Sequence, residues 1–182
     1  MADVGTAANV DGRAEPRISQ RASDAVARQV HFHDPNAPRA DRVVPSTFVA
    51  VRDEQDRLLL VRRRDSGNWE LPGGRVDVGE SAVDAAVRAT IEEAGVRVQI
   101  EGLVGLFTEP AHIVRSASGE IRQQFVVCFR ARPVWGRPRP DRNETIDAAW
   151  FGTSEIAALD LEPAVGPWIE QVLSGNAEPC LR

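Results

Sequence analysis

Apolar positions along the chain follow two different periods. From about residue 44 onward, short apolar runs bounded by polar or glycine-containing turns predict β-strands. The predicted strands cover residues 46–52, 57–63, 96–107, 121–132 and 145–151. Pro133 is expected to end the fourth of these strands, because proline has no N–H group to donate to a sheet ladder.

One segment between the second and third strands has the period of a helix instead. Ser81 and Asp84 have the spacing of a capping pair, and Gly95 is the residue type that ends a helix, so the pattern predicts a helix over residues 81–94. Its apolar stripe, expected to face the core, consists of Val83, Val87, Ile91 and Ala94. Two shorter helices are predicted near the end of the chain, at residues 154–159 and 164–173.

Strands around a central helix, followed by late helices, predict an α/β fold with a mixed sheet between helical layers. The apolar pattern is weak over residues 1–42, which we expect to form an N-terminal tail or arm with a short helix at residues 23–30. The predicted catalytic domain covers residues 43–175, and residues 176–182 form a C-terminal tail.

Composition narrows the class of protein. The 182 residues suit one domain of ordinary size, and the net charge of −5 with scattered basic residues argues against binding to duplex nucleic acid. The sequence has no apolar run long enough to span a membrane and no signal-peptide pattern. Its two cysteines are too few for a disulfide scaffold, and Cys128 lies in an apolar run, so a reduced, cytoplasmic protein is expected.

Candidate chemistry gathers around the predicted helix. The run Pro72–Gly73–Gly74 precedes the helix and allows the backbone to approach a ligand closely. Glu92 and Glu93 offer hard oxygen ligands of the kind that Mg²⁺ and Mn²⁺ prefer, although an adjacent glutamate pair is more often solvated surface. The basic cluster at residues 62–64 is either an exposed strand end or a contact for a substrate phosphate.

The spacing of these residues forms a longer pattern. Five residues separate Gly74 from Glu80 and seven separate Glu80 from Arg88, and the stretch ends with Glu92, Glu93, Gly95 and Val96. This pattern resembles the signature of the Nudix hydrolases, which is a glycine, five residues, a glutamate, seven residues and then R-E-U-x-E-E-x-G-U, with U a bulky aliphatic residue. Two positions depart from it, because Ala89 replaces a glutamate and Thr90 replaces the aliphatic residue.

The resemblance implies an α/β/α sandwich with a mixed β-sheet and metal-dependent cleavage of a nucleoside diphosphate derivative. It implies that Mg²⁺ or Mn²⁺ is held by the main-chain carbonyl near Gly74 and by Glu92 and Glu93. The residues expected to take part in catalysis are Glu144, Glu92 and Arg88, where Arg88 orients Glu92 and Glu144 is a ligand or general base. Those expected to bind substrate are Arg62, Arg64 and Gly73. Glu80 is expected to order the glycine turn.

The substrate and the activity are less sharply defined by the sequence. Pro110 lies fifteen residues after Gly95, near the place where ADP-ribose-cleaving members carry a proline, and the chain contains no tyrosine. These features favour ADP-ribose or a nucleotide sugar. The alternative, prompted by Ala89, is a catalytically weak module that binds a nucleotide as a sensor or contacts a partner protein. The resemblance also leaves a homodimer open.

Overall fold

The computed structural model describes residues 28–182. The strands in this part of the chain are β1 (Gln29–Phe32), β2 (Val43–Val51), β3 (Leu58–Arg63), β4 (Trp69–Glu70), β5 (Gly73–Arg75), β6 (Val96–Phe107), β7 (His112–Arg115), β8 (Ile121–Gly136), β9 (Thr145–Phe151) and β10 (Cys180–Leu181). The helices are α1 (Ala82–Ala94), α2 (Thr153–Ile156) and α3 (Gly166–Leu173).

Strands β2 and β8 form the centre of a seven-stranded mixed sheet. They run parallel, with residues paired from Val43↔Gln123 to Val51↔Ala131. On its other side β8 pairs antiparallel with β6 and β7, while β5 pairs antiparallel with β2, β1 with β7, and β10 parallel with β6. A second sheet of three strands has the order β4–β3–β9. The predicted mixed sheet is therefore confirmed.

Alternation along β2 divides the interior into two cores. Phe48 and Ala50 point into one core, where Trp168 of α3 packs against Phe48. Val49 and Val51 point into the other, which α1 closes. Successive side chains of a strand project to opposite faces, so a strand that is apolar at every position must be covered on both sides. This explains why residues 48–51 show an unbroken apolar run.

Helix α1 begins and ends where the sequence predicts, but it packs through a different face. Ser81 and Asp84 form a reciprocal capping box, and Gly95 ends the helix with φ = 69°. The predicted stripe is wrong at Val83 and Ile91, which are exposed, while Ala94 is buried and Val87 packs against the core as predicted. The buried residues of the helix are Ala85, Ala86, Ala89, Thr90, Glu93 and Ala94. Small side chains let the helix lie close to the sheet, and this close approach selects the alanine face over the bulkier aliphatic one.

Strand β8 continues past Pro133 to Gly136, contrary to the prediction that Pro133 ends it. Pro133 lies opposite Val98, where the register between β6 and β8 shifts by a residue. A bulge leaves one residue unpaired, so proline is tolerated there without the loss of a ladder hydrogen bond.

Segments outside the predicted domain also contribute to the main sheet. Residues 23–27 of the predicted N-terminal helix lie outside the described part of the chain, and Gln29 and Val30 belong to β1. Near the C-terminus, Cys180 and Leu181 pair with Gly105 and Leu106 of β6. No helix within residues 28–182 has the length and apolar character needed to cross a bilayer. Cys128 and Cys180 are both free thiols, and Cys128 is buried as expected.

Candidate active site

A cavity of about 610 Å³ opens between α1, strand β5 and the loop before β9. Its volume lies in the range of small-molecule sites, which is roughly 300–1,000 Å³. One wall is rich in carboxylates, with Asp77, Glu92, Glu93, Asp141 and Glu144. The opposite wall is formed by the main sheet and carries arginine and neutral polar side chains, among them Arg28, Arg75, Arg122, Ser46 and Gln124. The cavity is therefore electrostatically divided.

The glycine bend forms the floor of this cavity as the short strand β5. The N–H of Gly73 donates to Oε2 of Glu93 at 2.9 Å, which ties the bend to α1. A Cβ atom on Gly73 would lie 2.3 Å from the carbonyl oxygen of Thr47, so only glycine fits at this position. A Cβ atom on Gly74 would meet only the methyl group of Ala89, at 3.8 Å. The two glycines therefore face very different constraints.

Arg88 connects the segment before α1 to the last turn of the helix through hydrogen bonds. Its guanidinium donates to Glu80 Oε1 at 2.6 Å, to Glu92 Oε2 at 3.0 Å and to the carbonyl oxygen of Arg75 at 3.1 Å. The hydrogen bond from Arg88 is the main reason that the pKa of Glu80 falls to about 2. Glu80 also accepts the N–H of Asp77 at 2.9 Å. Glu80 therefore orders the turn before the helix, as the sequence suggests, and Arg88 lies within hydrogen-bonding distance of Glu92.

Arg63, the middle residue of the basic cluster at residues 62–64, lies in the carboxylate-rich wall, although only its two neighbours are named among the predicted substrate contacts. Its guanidinium lies 3.4 Å from a carboxylate oxygen of each of three glutamates, Glu70, Glu93 and Glu144. It also lies 3.1 Å from Asp65. Burial alone would lower the pKa of Arg63, but the neighbouring carboxylates outweigh that effect and raise it. Arg63 is the positive charge that holds this group of acids together.

Glu93 is buried with a surplus of negative charge around it. Burial, and next the charge of Glu70, raise the pKa of Glu93 to about 8, against the opposing effects of the Gly73 N–H and Arg63. Glu70 is also buried, and desolvation raises its pKa as well. Two buried carboxylates near one guanidinium cannot both ionise freely at neutral pH.

Arg62 and Arg64, the predicted substrate contacts, do not line the cavity. Arg62 donates to the carbonyl of Gly67, and Arg64 donates to the carbonyls of Arg142 and Asn143. Arg62 is exposed on β3 whereas Arg63 is buried at the end of the same strand, and Arg64 lies in the turn that follows. Of the three predicted substrate contacts, only Gly73 lies in the cavity wall.

Glu144 lies at the cavity mouth, on a loop that Asp141 shapes. The carboxylate of Asp141 accepts the N–H groups of Asn143, Glu144 and Thr145 at 2.8–3.1 Å. Arg64 adds hydrogen bonds to two carbonyls of the same loop. Glu144 itself is mostly exposed, and its carboxylate is within reach of both water and Arg63. Glu144 and Glu93 thus share Arg63 as a partner, while the role of Glu144 in catalysis stays a prediction.

The predicted metal ligands Glu92 and Glu93 already have partners within the protein. Among residues 28–182 no three His, Cys, Asp or Glu side chains converge on a point where a metal could be held. Ala89 places a methyl group where the family pattern has a carboxylate, Glu92 turns to Arg88, and Glu93 turns to Gly73 and Arg63. The predicted ligands Gly74, Glu92 and Glu93 surround the same cavity, but a guanidinium supplies the positive charge between the acids.

Comparisons with known proteins agree with the fold. The model of the NUDIX domain matches residues 42–172. The chain is 32% identical over 129 residues to the oxidized purine nucleoside triphosphate hydrolase of Mus musculus, which covers 70% of this chain and 78% of that protein. A NUDIX hydrolase structure from Nitrosomonas europaea superposes with a TM-score of 0.59 and 26% identity, over 75% of this chain and 92% of the other.

A second relative matches over a shorter stretch at higher identity. Over 63 residues the chain is 48% identical to a Bacillus subtilis (strain 168) protein provisionally named 8-oxo-dGTP diphosphatase. The match covers 35% of this chain and 42% of that relative. The chain therefore spans less than half the length of this relative.

Proposed function

Because the chain belongs to the Nudix family, we propose that it hydrolyses the diphosphate linkage of a nucleoside diphosphate derivative. The observation that supports this most strongly is the divided cavity, in which Arg63 and the glycine bend lie beside the carboxylates of Glu93 and Glu144. A diphosphate needs positive charge where its oxygens bind and a base where water attacks, and this cavity offers both.

Arg63 is the residue we assign to the phosphate. Its contacts to Glu93 and Glu144 are both 3.4 Å, longer than the roughly 2.7–2.9 Å of a strong charge-assisted hydrogen bond. These long contacts leave its N–H groups able to turn towards phosphate oxygens. An anion there also neutralises the guanidinium, which weakens its hold on Glu144 and leaves that carboxylate open to water.

Glu144 is the residue we assign to water activation. Its carboxylate accepts a proton from a water molecule whose oxygen attacks one phosphorus of the linkage. The bond between that phosphorus and the bridging oxygen breaks, and the bridging oxygen leaves with the other phosphate. Arg63 stabilises the negative charge that grows on the attacked phosphate. The products are a nucleoside monophosphate and the phosphorylated remainder of the substrate.

Two observations bear on the substrate, and they favour different nucleotides. Pro110 favours ADP-ribose or a nucleotide sugar, but it lies in the connection between β6 and β7 and does not line the cavity. The names of two relatives concern oxidised purine nucleotides. We therefore propose the class of nucleoside diphosphate derivatives, with ADP-ribose, nucleotide sugars and 8-oxo-dGTP as its candidates.

The test is release of nucleoside monophosphate from a panel of these nucleotides. Nudix hydrolases generally use divalent metal ions, so each nucleotide is assayed with Mg²⁺, with Mn²⁺ and with EDTA. We expect turnover of at least one member of the panel. No turnover of any member under any of the three conditions would contradict the proposal.

The second candidate is a nucleotide-binding module with little turnover. The specific observation in its favour is Ala89, which removes a carboxylate at a position that lines the cavity. Ala89→Glu distinguishes the two candidates in the same assay. A large gain in rate over a nearly silent parent supports the binding module, whereas a parent that already turns over supports the hydrolase.

A further inference from the structure

We propose that the sheet wall of the cavity is a subsite for a phosphate group of the substrate other than the diphosphate that is cleaved. Its central residue is Arg122, with Arg28 and Arg75 at its sides. This inference rests on the proposed function, because it narrows the substrate class to nucleotides that carry an additional phosphate.

The register of three strands places these polar side chains on one face. Ser46 of β2 lies opposite Arg75 of β5, and residues directly opposite each other in a ladder share a face. Ser46 Oγ donates to Gln124 Oε1 of β8 at 3.0 Å, which places Gln124 on that face too. Arg122 precedes Gln124 by two residues and therefore points the same way. A polar row thus crosses β8, β2 and β5.

The side chains of this row are buried, and burying a polar group costs free energy unless it is hydrogen-bonded. Ser46 is 1% exposed, Gln124 is 3% exposed and Arg122 is 7% exposed. All three side chains line the cavity. On the same face of β2 and β8, the next residues are Phe48 and Val126, which belong to the apolar core. A hydrophobic side chain at Arg122 would continue that core, so an arginine there indicates an anionic ligand.

The arginines of this wall are only partly neutralised by the protein. Glu120 is the carboxylate nearest to Arg122, at 3.3 Å, and it is shared with Arg75 at 3.5 Å and Arg42 at 3.9 Å. Arg42 also has a closer partner in Asp41, at 2.7 Å, so Glu120 is the carboxylate that Arg122 and Arg75 share. Burial, and next the charge of Arg75, lower the pKa of Arg122, which agrees with a local excess of positive charge. A phosphate placed between Arg122 and Arg75 would remove that excess.

Arg28 reaches the cavity from outside the region that matches the family model, which begins at residue 42. It directly precedes β1, which pairs with β7 at the edge of the main sheet. Its guanidinium lies 3.6 Å from Glu70, the carboxylate that also contacts Arg63. Glu70 thus links Arg28 of the proposed subsite to Arg63, the residue we assign to the cleaved diphosphate.

The experiment compares equilibrium binding of two nucleotide pairs by calorimetry, without added divalent ions so that turnover is not required. One pair is dGDP and dGTP, which differ by a terminal phosphate. The other is ADP-ribose and ADP-ribose 2′-phosphate, which differ by a phosphate on the ribose. The variants are Arg122→Gln and Arg75→Gln, and the matched control is Arg132→Gln, a half-exposed arginine of the same strand β8 that lies outside the cavity.

We expect the parent to bind the more phosphorylated member of at least one pair about tenfold more tightly, since a charge-assisted hydrogen bond contributes roughly 1.5–3 kcal/mol. Arg122→Gln and Arg75→Gln should remove this preference and leave binding of the other member unchanged, while Arg132→Gln should keep it. The pair that responds identifies the position of the phosphate. Because Arg75 is half-exposed, its variant remains informative if Arg122→Gln does not fold.

The inference is overturned if neither pair shows a preference in the parent, or if both variants retain the preference. Its failure is distinguishable from failure of the proposed function. A preparation that releases no nucleoside monophosphate but still discriminates within a pair contradicts only the hydrolase, and a preparation that cleaves nucleotides without discriminating contradicts only the subsite.

Discussion

Arg63 contacts four carboxylates, and two of them, Glu70 and Glu93, are almost fully buried. Removing one partner of a buried ion pair is costly because the other charge is left without compensation. The same guanidinium is the group we assign to the substrate phosphate. One residue thus links the stability of the site to its chemistry, and its replacement should affect both.

Arg63→Gln is expected to lower the free energy of unfolding at pH 8 by about 3 kcal/mol, the range found when one partner of a buried pair is removed. The loss should shrink at pH 5, because protonation of Glu70 and Glu93 removes the uncompensated charge. Urea unfolding at the two pH values measures it. Arg62→Gln, next in the chain but exposed, is the control and should lose little. Equal losses for both variants would contradict this role of Arg63.

Of the three consecutive arginines 62–64, only Arg63 contacts the carboxylates of the site, and this was only partly predictable from the sequence. The strand itself was predictable, and alternation implies that Arg63 points away from Arg62. Which of the two faces meets the acids depends on how β3 packs against α1, and this packing is not encoded in the local pattern. The position of Glu93 beside the glycine bend could be anticipated, because both belong to the stretch that resembles the family signature.

At the scale of elements, strand β5 positions the site by passing under α1 at close range. Gly73 lies opposite Phe48 in the ladder and has no space for a side chain, whereas Gly74 faces only the methyl group of Ala89. Gly74 is the glycine of the pattern that resembles the family signature, but the structure gives a steric reason for glycine only at residue 73.

Gly73→Ala should therefore be much more damaging than Gly74→Ala. The new methyl group at residue 73 would overlap the backbone of Thr47 and Phe48, and overpacking of this kind costs roughly 1–3 kcal/mol or more. At residue 74 the methyl group makes an ordinary contact at 3.8 Å. Thermal unfolding of the two variants measures the difference. If the two variants had similar melting temperatures, β5 could not lie as close to β2 as the structure places it.

The elements that the sequence predicted well are those with long periodic patterns. Strands β6 and β9 have the predicted bounds, and the capping residues fixed both ends of α1. The face on which α1 packs was not predictable from its apolar stripe, because close packing against the sheet favours alanines over Val83 and Ile91. The extension of β8 past Pro133 depends on a bulge in its pairing with β6, which is a property of two strands together.

At the scale of the whole molecule, the main sheet is wider than the region that matches the family. Strand β1 precedes that region and β10 follows it, yet both pair with strands inside it. They escaped prediction because strands of four and two residues are too short to show an alternating pattern. Their pairing shows that residues next to the matched region contribute to the sheet, and Arg28 shows that they reach the cavity.

His112 makes the stability of the whole chain depend on pH. Its ring packs against Phe32 and Trp168, and burial, and next the charges of Arg28 and Arg122, lower its pKa from 6.5 to about 4. Between pH 6.5 and pH 4 the unfolded chain binds a proton that the folded chain excludes, so this residue destabilises the fold as the pH falls through that window. Above pH 6.5 it has no such effect.

His112→Phe should lose less stability than the parent when the pH falls from 7 to 4.5, because phenylalanine does not titrate. Melting temperatures at the two pH values measure this difference. His33→Asn is the matched control, since His33 is exposed and asparagine tolerates its positive φ. If the His112→Phe variant shows the same pH dependence as the parent, the ring does not titrate in the way its surroundings imply.

The most direct test of hydrolysis with Glu144 as the base compares two rates of nucleoside monophosphate release. They are the rates of the parent and of Glu144→Gln on the best substrate of the panel. We expect the parent to be active and the variant to lose roughly 10²–10⁴-fold in rate, the range for a general base. The melting temperature should not change, because Glu144 is mostly exposed. A variant as fast as the parent would place the chemistry elsewhere and contradict the account.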